Sequence, residues 1–265
     1  MERRHFWDRY LRVYDSLNQL GDYRACMRDV ADGLALRPGQ TVLDAGSGTG
    51  NLSVLLRALG AAVTSMDFSP VALALHREKD PEARLVEASL EKPLPFSDRR
   101  FDHLTCLSVL FAISPEGSRL ALREFRRVLK PGGTLVVTAM MPGHSKVRAL
   151  VQHVASRARE LGLRGFLSEA GATLVPLLRV LYYNLRMYGF RRQGGYRRFG
   201  RPELLAEIRG AGFVGLRYRT TYGGRFHMVV ARCPDARALR GAWNADAGGS
   251  RGALSAGACP APSWA

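Results

Sequence analysis

Several things are scarce in this sequence of 265 residues. Cysteine occurs four times, at Cys26, Cys106, Cys233 and Cys259, never as a C-x-x-C pair. That spacing excludes a disulfide framework and the usual zinc signatures, and it points to reduced thiols. Cys106 lies in an apolar run and is most simply a core residue. No metal site is expected. No stretch approaches the ~18–20 apolar residues of a membrane-spanning helix. The longest apolar-rich segment, Leu174 to Leu185, is interrupted by Pro176, Arg179 and Asn184. The opening residues Met1, Glu2, Arg3, Arg4 and His5 lack the apolar centre of a secretory leader. A cytoplasmic chain is the expectation. Acids are also short: 23 Asp and Glu against 39 Lys and Arg, a formal charge of +16. Such a surplus suits nucleic acid, an anionic membrane surface or an anionic substrate, and equally a plain solvated arginine face.

What is present is organised around Thr41-Val42-Leu43-Asp44-Ala45-Gly46-Ser47-Gly48-Thr49-Gly50. A short apolar run ends in an acid, three glycines follow at alternate positions, and an apolar helical segment begins at Asn51. The order reads as buried strand, tight turn, helix. In an open α/β sheet, ligands bind at the carboxyl end of such a strand.

The rest of the chain repeats the alternation. Residues 5–37 predict two helices, broken at Gly21-Asp22, the second over 23–36. Strands are expected at 41–45, 61–66, 83–88, 101–107 and 134–139, with helices at 51–59, 70–79 and 114–130. Ser69-Pro70 and Ser114-Pro115 each combine an N-cap with a proline at the first helical position. Residues 89–100 read as a loop. Four helical crossovers then imply parallel pairing and a right-handed, doubly wound sheet. A helix at 202–209 and a hairpin of 213–221 with 225–232 add two antiparallel strands, seven in all.

Residues 141–200 break the rhythm as an insertion, helical at 145–161 and 170–188. Across 141–201, twelve cations oppose two acids, a surplus of ten. Tyr182, Tyr183, Tyr188 and Phe190 lie among them. From residue 234 the chain becomes an Ala/Gly/Ser/Pro tail that reads as disordered. The organisation expected is therefore 1–37 as helices covering the site, 38–140 as the binding core, 141–200 as a basic, aromatic lid, 201–233 completing the sheet, and 234–265 as tail.

The glycine turn alone is a weak signal, because Asn51 stands where a dinucleotide fingerprint needs its last glycine. Asp67, at the end of the second strand, is placed to accept hydrogen bonds from ribose hydroxyls; the plainer reading is an acid before a helix start. A carboxylate at Asp44 would repel a pyrophosphate and suits a ligand with a cationic end. That favours an amino acid-bearing nucleoside.

On these residues the chain resembles the class I S-adenosylmethionine-dependent methyltransferases, in their small-molecule, type 11-like branch. The run 42–50 resembles their first motif, and Met66-Asp67-Phe68-Ser69-Pro70 their second. Leu94-Pro95-Phe96, Phe101-Asp102 and Val128-Leu129-Lys130-Pro131-Gly132-Gly133 resemble later ones. The resemblance covers residues 38–140 and, weakly, 201–232. It implies a Rossmann-like α/β fold and S-adenosylmethionine as cofactor. Asp44 would orient the methionine part, Gly46, Ser47 and Gly48 would lie against the cofactor, Asp67 would hold the ribose, and Phe68 would pack on adenine. Aligning Ala88-Ser89-Leu90 with the family's Gly-Asp-Leu puts Ser89 where an acid often binds the adenine amino group. That contact then falls to Ser89 or to the Leu90 backbone. Leu107 and Ser108 would line the cofactor at the end of the fourth strand.

His144, just past the fifth strand, is the candidate base; an ordinary loop histidine is the alternative. His103 and His227 lie within strands and read as packed. Tyr14 and Tyr23 resemble N-terminal tyrosines that close over the cofactor in related families, with helix packing as the alternative. Tyr14-Asp15-Ser16-Leu17-Asn18 loosely resembles methyltransferases of quinone and phospholipid synthesis. Residues 107–113 carry neither the Asn/Asp-Pro-Pro-aromatic run nor the Pro-Cys pair of base methyltransferases, which disfavours nucleic acid. The expected partner is a small lipophilic acceptor, methylated at oxygen or carbon, with peripheral contact to an anionic membrane as an option. The alternatives are a phospholipid or RNA methyltransferase, or a non-catalytic protein that only binds the cofactor.

Overall fold

The computed structural model describes residues 2–19, 21–142, 178–179, 181–183, 186 and 198–235. Helix α1 (Glu2–Tyr14) runs into a tight 3-10 turn (Asp15–Gln19), and α2 (Gly21–Leu34) follows. Then come β1 (Thr41–Ala45), α3 (Asn51–Ala58), β2 (Ala62–Asp67), α4 (Pro70–Lys79), β3 (Arg84–Glu87) and β4 (Phe101–Leu107). A short 3-10 turn (Leu110–Ala112) precedes α5 (Pro115–Val128) and β5 (Leu129–Met140). Helix α6 (Arg201–Gly210) and the hairpin β6 (Val214–Thr221) and β7 (Phe226–Arg232) complete the fold.

One seven-stranded sheet results, in the order β3-β2-β1-β4-β5-β7-β6. The first five strands are parallel, and β7 runs antiparallel to both β5 and β6. The expected Rossmann-like α/β class holds. Strand order reverses between β1 and β4, so the crevice at their carboxyl ends is the topological switch point.

Helix α5 shows why the layers form. Ala121, Leu122, Phe125 and Val128 are fully buried, on one helical stripe facing the sheet. Ser114 starts it by accepting from the Gly117 amide at 3.0 Å. Ser114→Ala is expected to lower stability by about 1 kcal/mol, the usual worth of such a cap, measured by denaturant unfolding. On the other face, Val30, Leu34, Val42, Leu56, Val136 and Met228 form a second buried cluster under α2 and α3.

Several expectations need correction. Only three of the four crossovers carry a helix; β3 joins β4 through the loop at 88–100. Gly21 opens α2 rather than breaking the helices; the break is the 3-10 turn, pinned by Asp15 and Asn18 to the start of α3. Helix α5 stops at Val128, because Pro131 disfavours helix in the residue before it. The fifth strand starts at Leu129, opposite Phe101, and a bulge at 130–133 brings Thr134 opposite His103. The edge strand β3 is shorter than 83–88, at four residues. The tail from 236 on, and nearly all of the expected lid, lie outside the described residues. Among the described residues no helix is long and apolar enough to cross a membrane, and no group of three or more side chains is suited to a metal ion.

Candidate functional site

Strand β1 delivers Asp44 to the switch point, 1% exposed. One carboxylate oxygen accepts from Ser53 Oγ of α3 at 2.6 Å and the other from Thr105 Oγ1 of β4 at 3.0 Å. The acid therefore ties three elements together. Burial raises its pKa to about 6, against the opposing pull of those two hydroxyls, and the nearby Asp67 charge adds to the rise.

The turn after β1 is fastened to β2. Gly46 and Ser47 donate their amides to the Met66 carbonyl at 2.7 and 2.9 Å. Gly48 donates its amide to Asp67 Oδ2 at 2.8 Å, and Ser69 donates its amide to Asp67 Oδ1 at 3.0 Å. An ionised carboxylate offers about four acceptor positions, so Asp67 keeps capacity for further donors. Burial is the largest influence on Asp67 and moves its pKa upward, while the backbone donors oppose it.

The three glycines of the turn all have positive φ, but they face different surroundings. A Cβ on Gly46 would lie 2.4 Å from Val109 Cγ2, and one on Gly50 would lie 2.2 Å from the His76 ring. A Cβ on Gly48 would meet only Leu11, at an ordinary 3.6 Å. Gly48 is thus the turn position at which an added Cβ would meet no tight contact. Among the described residues, Ser47 Oγ and Ser108 Oγ are buried without a hydrogen-bond partner, as are Thr134 Oγ1 and Thr138 Oγ1. Buried hydroxyls are normally satisfied, so Ser47 after β1 and Ser108 after β4 keep capacity for a polar partner.

Other expected residues gather at the same edge. Phe68 is 37% exposed, beside Asp67. Ser89 is half-buried and its hydroxyl accepts from the Glu91 amide, while Leu90 is buried. Leu107 ends β4, and Ser108 follows with a left-handed backbone and its amide on the Thr138 carbonyl.

Tyr14 and Tyr23 come together edge to face, 5.9 Å apart. Burial, with Tyr23 beside it, pushes the Tyr14 phenol well up; burial also raises Tyr23, against an opposing hydrogen bond from Asn51. Both stay protonated at neutral pH, which makes them hydrogen-bond donors rather than bases. They belong to an aromatic series in which Tyr10 touches Tyr14, Tyr23 touches Tyr222, and Phe6 and Tyr10 meet Tyr183.

His144 lies outside the described residues. His103 and His227 are buried as expected: His103 meets Gln40, and His227 sits between the Tyr218 hydroxyl and the Phe199 carbonyl. The Phe199 carbonyl can only accept, so the His227 proton is on Nε2 and Nδ1 accepts from Tyr218.

Sequence reasoning missed Ser53, Thr105 and Val109, whose positions depend on pairing between strands far apart in the chain. It also missed Asp8, which accepts from Ser69 Oγ at 2.6 Å. Asp15 and Asn18 lay in a run that the sequence does single out, Tyr14 to Asn18, but nothing in the residue types shows what they hold.

Residues 43–137 match the family model described as a methyltransferase domain. The chain is 31% identical over 230 residues to a demethylmenaquinone methyltransferase of Beutenbergia cavernae, covering 85% of this chain and 88% of that protein. A malonyl-[acyl-carrier protein] O-methyltransferase of Erwinia pyrifoliae is 41% identical over 112 residues, 42% of each chain. Among solved structures, the 1,6-didemethyltoxoflavin-N1-methyltransferase of Burkholderia thailandensis, with S-adenosylhomocysteine bound, shares the fold. Its TM-score is 0.53 at 18% identity, covering 85% of this chain and 88% of that one.

Proposed function

The chain belongs to the S-adenosylmethionine-dependent methyltransferases, and from that premise we propose that it methylates a small lipophilic ring compound of the quinone kind, at carbon or oxygen. The observation that carries the proposal is the similarity along most of the chain to a protein named for demethylmenaquinone. The aromatic side chains Phe6, Trp7, Tyr10, Phe111 and Tyr183, packed together beside the site, support it. Apolar pockets with few polar groups are what such an acceptor needs.

The residues at the switch point suit the cofactor. Asp67 would take the ribose hydroxyls, Phe68 would cover adenine, and Ser89 or the Leu90 backbone would take the adenine amino group. Gly46 would shape the turn, Gly48 would give close approach, and Ser47 and Ser108 would supply hydroxyls. Leu107 would line the wall. Asp44 would favour the cationic methionine end through its charge. S-Adenosylmethionine supplies an electrophilic methyl group on a sulfonium. What the chain contributes is alignment of acceptor and methyl. A quinol hydroxyl ionises readily, so a strong base is not required. Tyr23, which accepts from Tyr14, would donate to an acceptor oxygen, and His144 stands as the proposed base.

The Asp44 reading carries a pH prediction. Its carboxylate is charged above about pH 6 and neutral below it. Affinity for S-adenosylmethionine should therefore fall as pH drops, about tenfold from pH 7 to 5, measured by calorimetry. Asp44→Asn should flatten that dependence; a parent curve already flat would remove the charge role.

Two exposed side chains favour peripheral contact with an anionic membrane as well. Leu178 and Tyr182 are 48% and 53% exposed, close in sequence to the exposed Arg179 and Arg186. Apolar residues flanked by arginine suit a bilayer surface that also holds a lipophilic acceptor.

The test of the proposal is methyl transfer from labelled S-adenosylmethionine to a demethylated naphthoquinol bearing an isoprenoid tail, with phosphatidylethanolamine and RNA in parallel. Label in the quinone extract alone is expected. A carbon-methylated product reoxidises to a quinone, whereas a methyl ether does not. Label in lipid or RNA instead would overturn the acceptor assignment, and label in none would favour a protein that binds without transfer.

A further inference from the structure

The segment from α1 through the 3-10 turn grips the site at two points. At one, Asp8 accepts from Ser69 Oγ, while the Ser69 amide holds Asp67. At the other, Asp15 reaches the glycine turn. One Asp15 oxygen accepts from Thr49 Oγ1 at 2.6 Å and Asn51 Nδ2 at 3.1 Å; the other pairs with Lys79 at 2.7 Å. Lys79 Nζ in turn donates to the Thr49 carbonyl and to Asn51 Oδ1, both at 2.8 Å. Asn18 donates to Asn51 Oδ1 as well, at 3.0 Å. Between the two grips, Leu11 of α1 faces Gly48.

Helix α3 needs this outside help. Its N-cap is Gly50, which has no side chain and makes no capping hydrogen bond. A helix start left this way has unsatisfied donors and a positive dipole end. Asp15, held by Lys79, fixes the two residues that flank Gly50. The turn before that helix is the one assigned to the cofactor.

We propose that Asp15 is a positioning residue for the cofactor turn: through Thr49, Asn51 and Lys79 it holds residues 46–51 in the binding shape. It touches neither cofactor nor acceptor in this assignment. The proposal rests on the reading that Asp44, Gly46 to Gly48 and Asp67 hold S-adenosylmethionine. It also gives a purpose to the run Tyr14 to Asn18, in which Tyr14 meets Tyr23, Asp15 meets Thr49 and Asn18 meets Asn51.

The test uses the full chain and S-adenosylhomocysteine as probe, with calorimetric affinity and amide hydrogen exchange over 46–52 as readouts. Asp15→Ala is expected to weaken binding about 10- to 50-fold, the loss of one or two charge-assisted contacts. It should also speed exchange in the turn while the β4 and β5 amides stay protected. Asp15→Asn keeps an oxygen for Thr49 and should recover most of the affinity. Asp15→Ala combined with Lys79→Met should lose less than the product of the two single effects. Arg119→Ala, on the exposed face of α5, should bind as the parent does. Parent-like affinity in Asp15→Ala, or a loss explained wholly by its unfolded fraction, would overturn the proposal alone. Should Asp15→Ala not fold, parent-like affinity and parent-like exchange over 46–52 in Lys79→Met would overturn it. Failure of the parent to bind the probe would overturn the cofactor reading and this proposal with it.

Discussion

Gly50→Ala is expected to cost about 2–5 kcal/mol of folding stability. Two physical causes add. With φ at +83°, the residue is left-handed, and an L side chain there costs about 1–2 kcal/mol. The new methyl would also sit 2.2 Å from His76 Cδ2, and overpacking of that kind costs about 1–3 kcal/mol. Domains hold about 5–15 kcal/mol in total, so much of the stability would go. His76 is itself fully buried with both ring nitrogens unpartnered, and burial lowers its pKa to about 4. The ring stays neutral and has no hydrogen bond that would oppose its displacement. Adding His76→Ala should therefore return the steric part but not the backbone part, a favourable coupling of about 1–3 kcal/mol in denaturant unfolding. Gly46→Ala should behave like Gly50→Ala, through Val109. Gly48→Ala should cost only the backbone part, about 1–2 kcal/mol of stability, and show its further effect in cofactor affinity. Equal stability losses at all three positions would show that the left-handed backbone, and not the packing of Val109 and His76, sets the cost.

Asp67→Ala is expected to weaken S-adenosylhomocysteine binding by about two to four orders of magnitude. Two hydrogen bonds from hydroxyls to an ionised carboxylate are worth about 1.5–3 kcal/mol each. The same substitution leaves the Gly48 and Ser69 amides without their acceptor, which loosens the turn and the start of α4. Asp67→Asn separates these contributions, because its amide oxygen still accepts one of the two. Competition calorimetry on Ala, Asn and parent proteins would show a graded series. Unchanged affinity in Asp67→Ala would remove the ribose assignment.

The sheet was largely legible in the sequence because its signals are local. Apolar runs ending at Asp44 and Asp67, and serine-proline pairs at 69–70 and 114–115, mark strand ends and helix starts within a few residues. The glycine turn and its two acids were legible for the same reason. What escaped was long-range. Pro131-Gly132-Gly133 reads as a stop, but the strand pairing carries Leu129 into β5 and turns the motif into a bulge. Gly46 reads as a place for the cofactor to lie close, yet Val109 fills the space beside it. Asp44 reads as a carboxylate open to the cofactor, and the structure surrounds it with Ser53 and Thr105. The partners of Asp8 and Asp15 lie more than thirty residues away in sequence, so no periodicity announces them.

One binding site per chain for S-adenosylmethionine is expected at the turn between Asp44 and Asp67. Calorimetric titration of S-adenosylmethionine into the intact protein tests this directly. Saturable binding at one site per chain is predicted, with a dissociation constant in the range of about 1 μM to 1 mM usual for enzyme substrates, and with strong loss in Asp67→Ala. Absence of saturable binding by the parent protein, or binding that Asp67→Ala leaves intact, would contradict it.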